Sequence, residues 1–219
     1  MVVVGLVAAI ALTACGGGST TSVSVITTTV TNTARSSAAT SGVIRRGVLQ
    51  FQIDGSEMAP TLADGSIVDI VPAKSSELTR GAVVLFLVPN GGYLVKRVIG
   101  LPGDSIRIVP DYAPPAGARH AAVEVKPGGT GSWQVVTEGY LPDQSKDRWT
   151  RGVACCTREG VAGDAPTEAT VPAGGLFALG DNRNASKDSR DTGFYRAEWV
   201  TGIVGDPQHD LGAPTLTAA

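Results

Sequence analysis

From about residue 44 onward, short apolar runs alternate with clusters of glycine, proline and aspartate, and no run sustains the 3.6-residue period of an amphipathic helix. The runs at 48–53, 67–71, 83–88, 93–99, 105–109, 123–125, 133–136, 176–179 and 199–204 predict β-strands. Pro102-Gly103-Asp104, Pro89-Asn90-Gly91-Gly92 and Lys126-Pro127-Gly128-Gly129 predict turns between them. Residues 110–172 are rich in proline and glycine and less patterned, and read as an inserted β lobe. The expected fold class is all-β.

The first 43 residues follow a different pattern. Residues 2–12 form an uninterrupted apolar or small run, shorter than the ~20 residues a spanning helix needs and of the length of a signal-peptide core. Leu12-Thr13-Ala14-Cys15 follows, and this resembles the lipobox of bacterial lipoproteins, which implies that Cys15 is lipidated and becomes the mature N-terminus. No lysine or arginine precedes Arg35, so a start site upstream is expected. A plain secretory signal with an incidental cysteine is the alternative. From 16 to 43 half of the residues are Ser or Thr, a composition that cannot bury enough apolar surface to order itself. It predicts a disordered tether with a reach on the order of 30 Å. A strand over 23–30 is the other reading. Residues 1–15, 16–43, 44–208 and 209–219 thus divide into signal segment, tether, domain and tail.

Composition narrows the partners. The chain has 219 residues, 42% hydrophobic and 17% charged, enough for one ordinary core. A formal net charge of -2 leaves no basic footprint for nucleic acid.

Four blocks in fixed order carry the chemistry: Gly55-Ser56-Glu57-Met58-Ala59-Pro60-Thr61-Leu62, residues 81–86, Lys96-Arg97-Val98-Ile99-Gly100-Leu101-Pro102-Gly103-Asp104, and a run from Gly180-Asp181-Asn182 to Ser186, Asp188 and Arg190. Together they resemble the type I signal peptidases, membrane-bound serine proteases with a Ser/Lys dyad. The resemblance implies a catalytic β core with a second β lobe inserted in it, and Lys96 as general base. Where the family pattern Ser-Met-x-Pro-Thr-Leu has its nucleophile, this chain has Glu57, and the nearest serine is Ser56.

Serine needs a base within hydrogen-bond reach, and lysine serves as one only when neutral, which requires apolar surroundings. On a strand Lys96 shares a face with Leu94 and Val98 and is flanked by aliphatic neighbours, while Arg97 lies on the other face. A solvated strand lysine is the bland reading. A carboxylate at Glu57 would favour the charged ammonium and lock an ion pair, an arrangement dead as a Ser/Lys protease. Ser56 is the candidate shifted nucleophile. A one-residue slip on a regular strand turns a side chain to the opposite face, but Gly55 permits backbone angles that re-aim it. Alternatively, Ser56 simply caps a turn. A backbone N–H at Glu57 or Ser56 is the expected oxyanion donor.

The resemblance further implies that Ser186 orients the lysine and that Asp181, Asp188, Arg190 and Arg97 support the site through ion pairs and turn bonds. The spacing of Asp181, Asn182, Ser186 and Asp188 fails as a calcium loop, because Arg183 and Ala185 stand at ligand positions. Neither metal nor cofactor is expected. Cys155 and Cys156 are adjacent, ~3.8 Å apart at Cα, leaving a strained vicinal bridge or two free thiols open. His120 and His209, the only histidines, are far apart and suggest no triad.

These observations predict a lipid-anchored, monomeric signal-peptidase-like protein on the extracytoplasmic face of a bacterial membrane. Active, it would cleave exported preproteins after small residues. Inactive, it would bind extended peptides without cutting them. A self-cleaving repressor-type domain and a purely structural lipoprotein are more distant alternatives, the first opposed by the export signal and the lack of a DNA-binding helix pair.

Overall fold

A computed structural model describes residues 49–112, 120–141, 168–205 and 211–219. The expected signal segment, the tether, Cys15, Cys155, Cys156 and His209 lie outside the described residues. Two antiparallel sheets account for nearly all regular structure. The larger has seven strands in the order β1-β2-β11-β3-β4-β9-β10: β1 (Leu49–Gln52), β2 (Ile67–Val71), β11 (Val200–Gly205), β3 (Val83–Leu87), β4 (Tyr93–Gly100), β9 (Gly175–Leu179) and β10 (Tyr195–Arg196). The smaller has five, in the order β12 (Thr215–Ala218), β7 (Gln134–Thr137), β6 (His120–Lys126), β5 (Ser105–Tyr112) and β8 (Ala169–Thr170). The protein is all-β, as the strand pattern predicts, and the described residues hold one short α-helix, α1 (Ser189–Thr192), besides three single 3-10 turns. The small sheet draws on the expected insert at 110–172 but begins at Ser105 and ends on β12, from the C-terminal segment.

The central strands read as unbroken apolar runs because both faces of the large sheet are covered. On β3, Val83 and Leu85 join a cluster with Phe51, Met58, Leu62 and Ile70, while Val84 and Phe86 join another with Val98, Leu176 and Tyr195. On β9, Phe177 and Leu179 face a third cluster with Ile99, Ile106, Val125 and Val136, which seats the small sheet against the large one. At these full burials each side chain contributes about 1.5–3 kcal/mol of transfer free energy.

The turn from β4 into β5 is fixed by one carboxylate. Asp104, 3% exposed, accepts from Leu101 N–H at 2.7 Å, Gly128 N–H at 2.9 Å and Arg80 Nη2 at 2.9 Å. Gly103 takes φ +89 there, a conformation that glycine adopts without a Cβ clash. The sheets are thereby hinged at the end of the strand that carries Lys96.

Candidate active site

The segment between β1 and β2 is held from beneath. Met58 and Leu62 are 2% and 1% exposed in the core, and Leu62 N–H donates to Met58 O at 2.9 Å. Gly55 enters this turn at φ +109, its N–H donating to Asp64 Oδ1 at 2.8 Å. With Met58 anchored inward, Ser56 stands exposed and Glu57 half-buried.

Lys96 lies on β4 opposite Val84 and is fully buried. Its Nζ donates to Glu57 Oε2, forming an ion pair in which the carboxylate side chain remains 40% exposed. Glu57 therefore meets the lysine, and it does so with a carboxylate acceptor. Hydrogen bonds keep Ser56 and Glu57 at this spot through the last sequence block. Asn182 donates its backbone N–H to Glu57 O at 2.9 Å and its side-chain Nδ2 to Ser56 O at 3.0 Å. Gly180 packs so tightly here that an added Cβ would lie 2.1 Å from Ser186 Oγ and 2.7 Å from Glu57 O. Ser186 is 3% exposed, and its hydroxyl has no hydrogen-bond partner among the described residues.

Behind this layer, Arg97 is fully buried and organises the rest. Its Nε and Nη2 donate to Asp181 at 2.9 and 2.7 Å, Nη1 donates to Gly81 O at 3.0 Å and Gly212 O at 2.8 Å, and Nη2 also donates to Leu211 O at 2.8 Å. The Tyr140 ring covers the guanidinium with its centroid 3.8 Å away. Asp181 thus links β4 to the loop that grips Glu57. Asp188 caps α1 and accepts from Gly180 N–H at 3.0 Å and Arg190 Nε at 2.9 Å. Burial pushes its carboxyl up, but Arg190 and the backbone donors outweigh this and hold it below the usual carboxylate range.

Glu138 and Tyr140 carried no signal in the sequence, and Asn182 and Arg183 lie in the last block without a role that the sequence assigns. Asn182 stands beside an aspartate in a polar run, so it reads as turn or ligand rather than as a clamp. Glu138 and Arg183 form a buried bidentate pair at 2.5 Å, with Tyr140 Oη donating to the same carboxylate at 2.6 Å. Burial raises the Glu138 carboxyl, and the charge and hydrogen bonds of Arg183, with the Tyr140 bond, overcome it to leave a net lowering. Nothing in Thr137-Glu138-Gly139-Tyr140 distinguishes this from an exposed turn.

A cleft of about 450 Å³ opens beside Glu57, lined by Phe51, Ile53, Asp54, Ser56 and the β4 residues Tyr93, Leu94 and Val95. β9 pairs with β4 only from Arg97 to Gly100, so along Tyr93–Val95 the edge away from β3 has no strand partner among the described residues. Among the described residues no group of three or more acidic, histidine or cysteine side chains could hold a metal ion, and no helix is long and apolar enough to cross a membrane.

The fold is thus a two-sheet β protein in which an open strand edge leads to a buried lysine. The model of the family described as "Signal peptidase, peptidase S26" matches residues 26–205, and the chain belongs to this family. Signal peptidase IB of Staphylococcus aureus strain COL is 32% identical over 167 residues, covering 72% of this chain and 75% of that protein. Signal peptidase I V of Bacillus subtilis strain 168 is 28% identical over 162 residues, covering 73% and 85%. A crystal structure of a signal peptidase I from Enterococcus faecalis V583 overlaps 58% of this chain and 96% of its own at TM-score 0.38 and 25% identity.

Proposed function

We propose that the protein is a signal peptidase I-like serine endopeptidase at the extracytoplasmic membrane surface, held there by lipid on Cys15, that cleaves exported preproteins after small residues. The observation that carries this reading is the unpaired edge of β4 running along the cleft to Lys96, in a chain of the signal peptidase family. An extended substrate would add to that edge by main-chain hydrogen bonds. Ser56 Oγ would bond to the scissile carbonyl carbon, Lys96 would take the hydroxyl proton and pass it to the leaving amine, and water would then release the acyl group. The backbone N–H at Glu57 or Ser56 would face the developing oxyanion. For this to occur the Glu57 carboxylate must leave Lys96 and Ser56 must turn inward. The exposure of Glu57 and the open space beside Gly55 at φ +109 support such a turn.

The Glu57–Lys96 ion pair favours a second reading, in which the same cleft binds extended peptides without cutting them. An ammonium held in an ion pair has no lone pair with which to take a proton from a hydroxyl. One comparison separates the two: cleavage of a preprotein bearing small residues at its processing site by wild type, Ser56→Ala, Lys96→Ala and Glu57→Ser. Wild-type cleavage lost in both alanine variants supports the shifted dyad. No wild-type cleavage, with activity gained on Glu57→Ser, supports the binding protein.

A further inference from the structure

The cleft is lined by Glu57, and behind that carboxylate lies a buried cation, Lys96, whose counterion is therefore carried by the protein itself. Lys96 Nζ is fully buried, and Glu57 is its one hydrogen-bond partner among the described residues, although an ammonium has three donors. A buried ammonium requires an anion beside it. The two partners are unequally committed to their pair. Lys96 is fixed on β4 with no exposed surface, whereas Glu57 has a side chain 40% exposed and lies two residues after Gly55, which has open space around it. Turning the carboxylate into water returns it to its preferred solvent and leaves Lys96 uncompensated, unless a second anion arrives as it goes.

An extended peptide on the Tyr93–Val95 edge is suited to bring that anion. Added parallel to β4, it would run N to C toward Lys96 and end there in an α-carboxylate, whereas an antiparallel peptide would bring an ammonium that Lys96 repels. We propose that the cleft is a receptor for peptide C-termini: the free carboxylate of an extended peptide replaces the Glu57 carboxylate on Lys96. The recognised group is thus the free terminal carboxylate and not a residue within a continuing chain. Glu57 is then an internal competitor, occupying the ammonium until a peptide terminus displaces it. This inference rests on the reading above that the cleft takes extended peptides, and adds what the peptide must carry at its end.

The test uses the full chain and two fluorescein-labelled octapeptides of one sequence ending in Ala-Leu-Ala, one with a free C-terminal carboxylate and one with a C-terminal amide, titrated by anisotropy. The acid should bind roughly tenfold tighter than the amide, the scale of one charge-assisted hydrogen bond. Glu57→Gln should widen that gap by removing the competing charge, and Lys96→Met should abolish it. Equal binding of acid and amide to wild type overturns the carboxylate assignment while leaving the cleft a peptide site. A gap that persists in Lys96→Met overturns the role of Lys96. Binding of neither peptide overturns this inference together with the peptide-cleft reading. The wild-type comparison of the two peptides decides the matter even where a variant fails to fold.

Discussion

Lys96 and Arg97 are neighbours on β4 that face opposite ways, and the difference in their partners separates chemistry from support. Lys96 meets a half-exposed carboxylate at the cleft, while Arg97 meets the fully buried Asp181 and three backbone carbonyls. The alternation of strand side chains made this division legible in the sequence, and the ion pair with Glu57 followed from its register with Pro60-Thr61-Leu62. The Glu138–Arg183 pair was not legible, because burial of a turn glutamate depends on packing between sheets. Its removal should nonetheless be costly. Glu138→Ala removes the carboxylate that accepts from both Nη groups of the buried Arg183 and should lower stability by roughly 3 kcal/mol in urea denaturation, whereas the double change Glu138→Leu with Arg183→Met should recover most of that. The pH dependence has a definite sign. Glu138 and Asp188 have carboxyls held below their usual values of 4.5 and 3.8, so their stabilisation is present above those values and is lost as pH falls through the lower folded ones. Urea midpoints should therefore drop between about pH 5 and pH 2, and less steeply in Glu138→Gln than in wild type. Parallel slopes would remove Glu138 as a source of the acid sensitivity.

At the level of elements, the strands with strong apolar patterning lie where the sequence puts them: β2 coincides with 67–71, and β3, β4, β9 and β11 differ from expectation by a residue at one or both ends. β8 and β10 are two residues long, too short to carry a period, and their pairing is supplied by neighbours in the sheet. Glycines mark where elements approach each other rather than where they end. β4 shifts register against β9 between Val98 and Gly100, and β11 shifts against β3 between Val200 and Gly202. At Gly202 an added Cβ would lie 2.6 Å from Val71 O, a backbone atom that cannot swing aside. Gly180 is the same case at the site. Gly180→Ala should destabilise the protein by about 1–3 kcal/mol and release the grip of the 180–186 loop on Glu57, seen as faster amide exchange at Asn182. Gly139→Ala, where nothing lies within 4 Å and φ is not positive, should leave both readouts unchanged. Equal effects at the two positions would mean that helix-independent glycine flexibility, and not the Ser186–Glu57 contact, governs the loop.

Across the whole molecule, the C-terminal segment ties the two sheets together behind the site. Leu211 and Gly212 supply carbonyls to Arg97, Pro214 packs against Gly81 so closely that a Cβ there would meet its Cδ at 2.5 Å, and β12 then pairs with β7 from Thr215 opposite Thr137 to Ala218 opposite Gln134. The sequence reads 209–219 as a tail because Leu211-Gly212-Ala213-Pro214 carries breakers and the four residues of β12 contain one large apolar side chain. What orders it is Arg97, whose remaining donors need acceptors in a place no other described segment supplies. A chain ending at residue 210 should thus lose two charge-assisted hydrogen bonds and an edge strand, lowering stability by on the order of 2 kcal/mol, since water partly replaces the lost carbonyls. The loss should be spatially uneven. Amides of β7 and of β4 near Arg97 should exchange faster, while the β9–β10 pairing of Leu176 with Tyr195, in a separate core cluster, should keep its protection. Uniform loss of protection would mean that the segment stabilises the fold only globally; uneven loss centred on Arg97 would place the strap in direct support of the strand that presents Lys96 to the cleft.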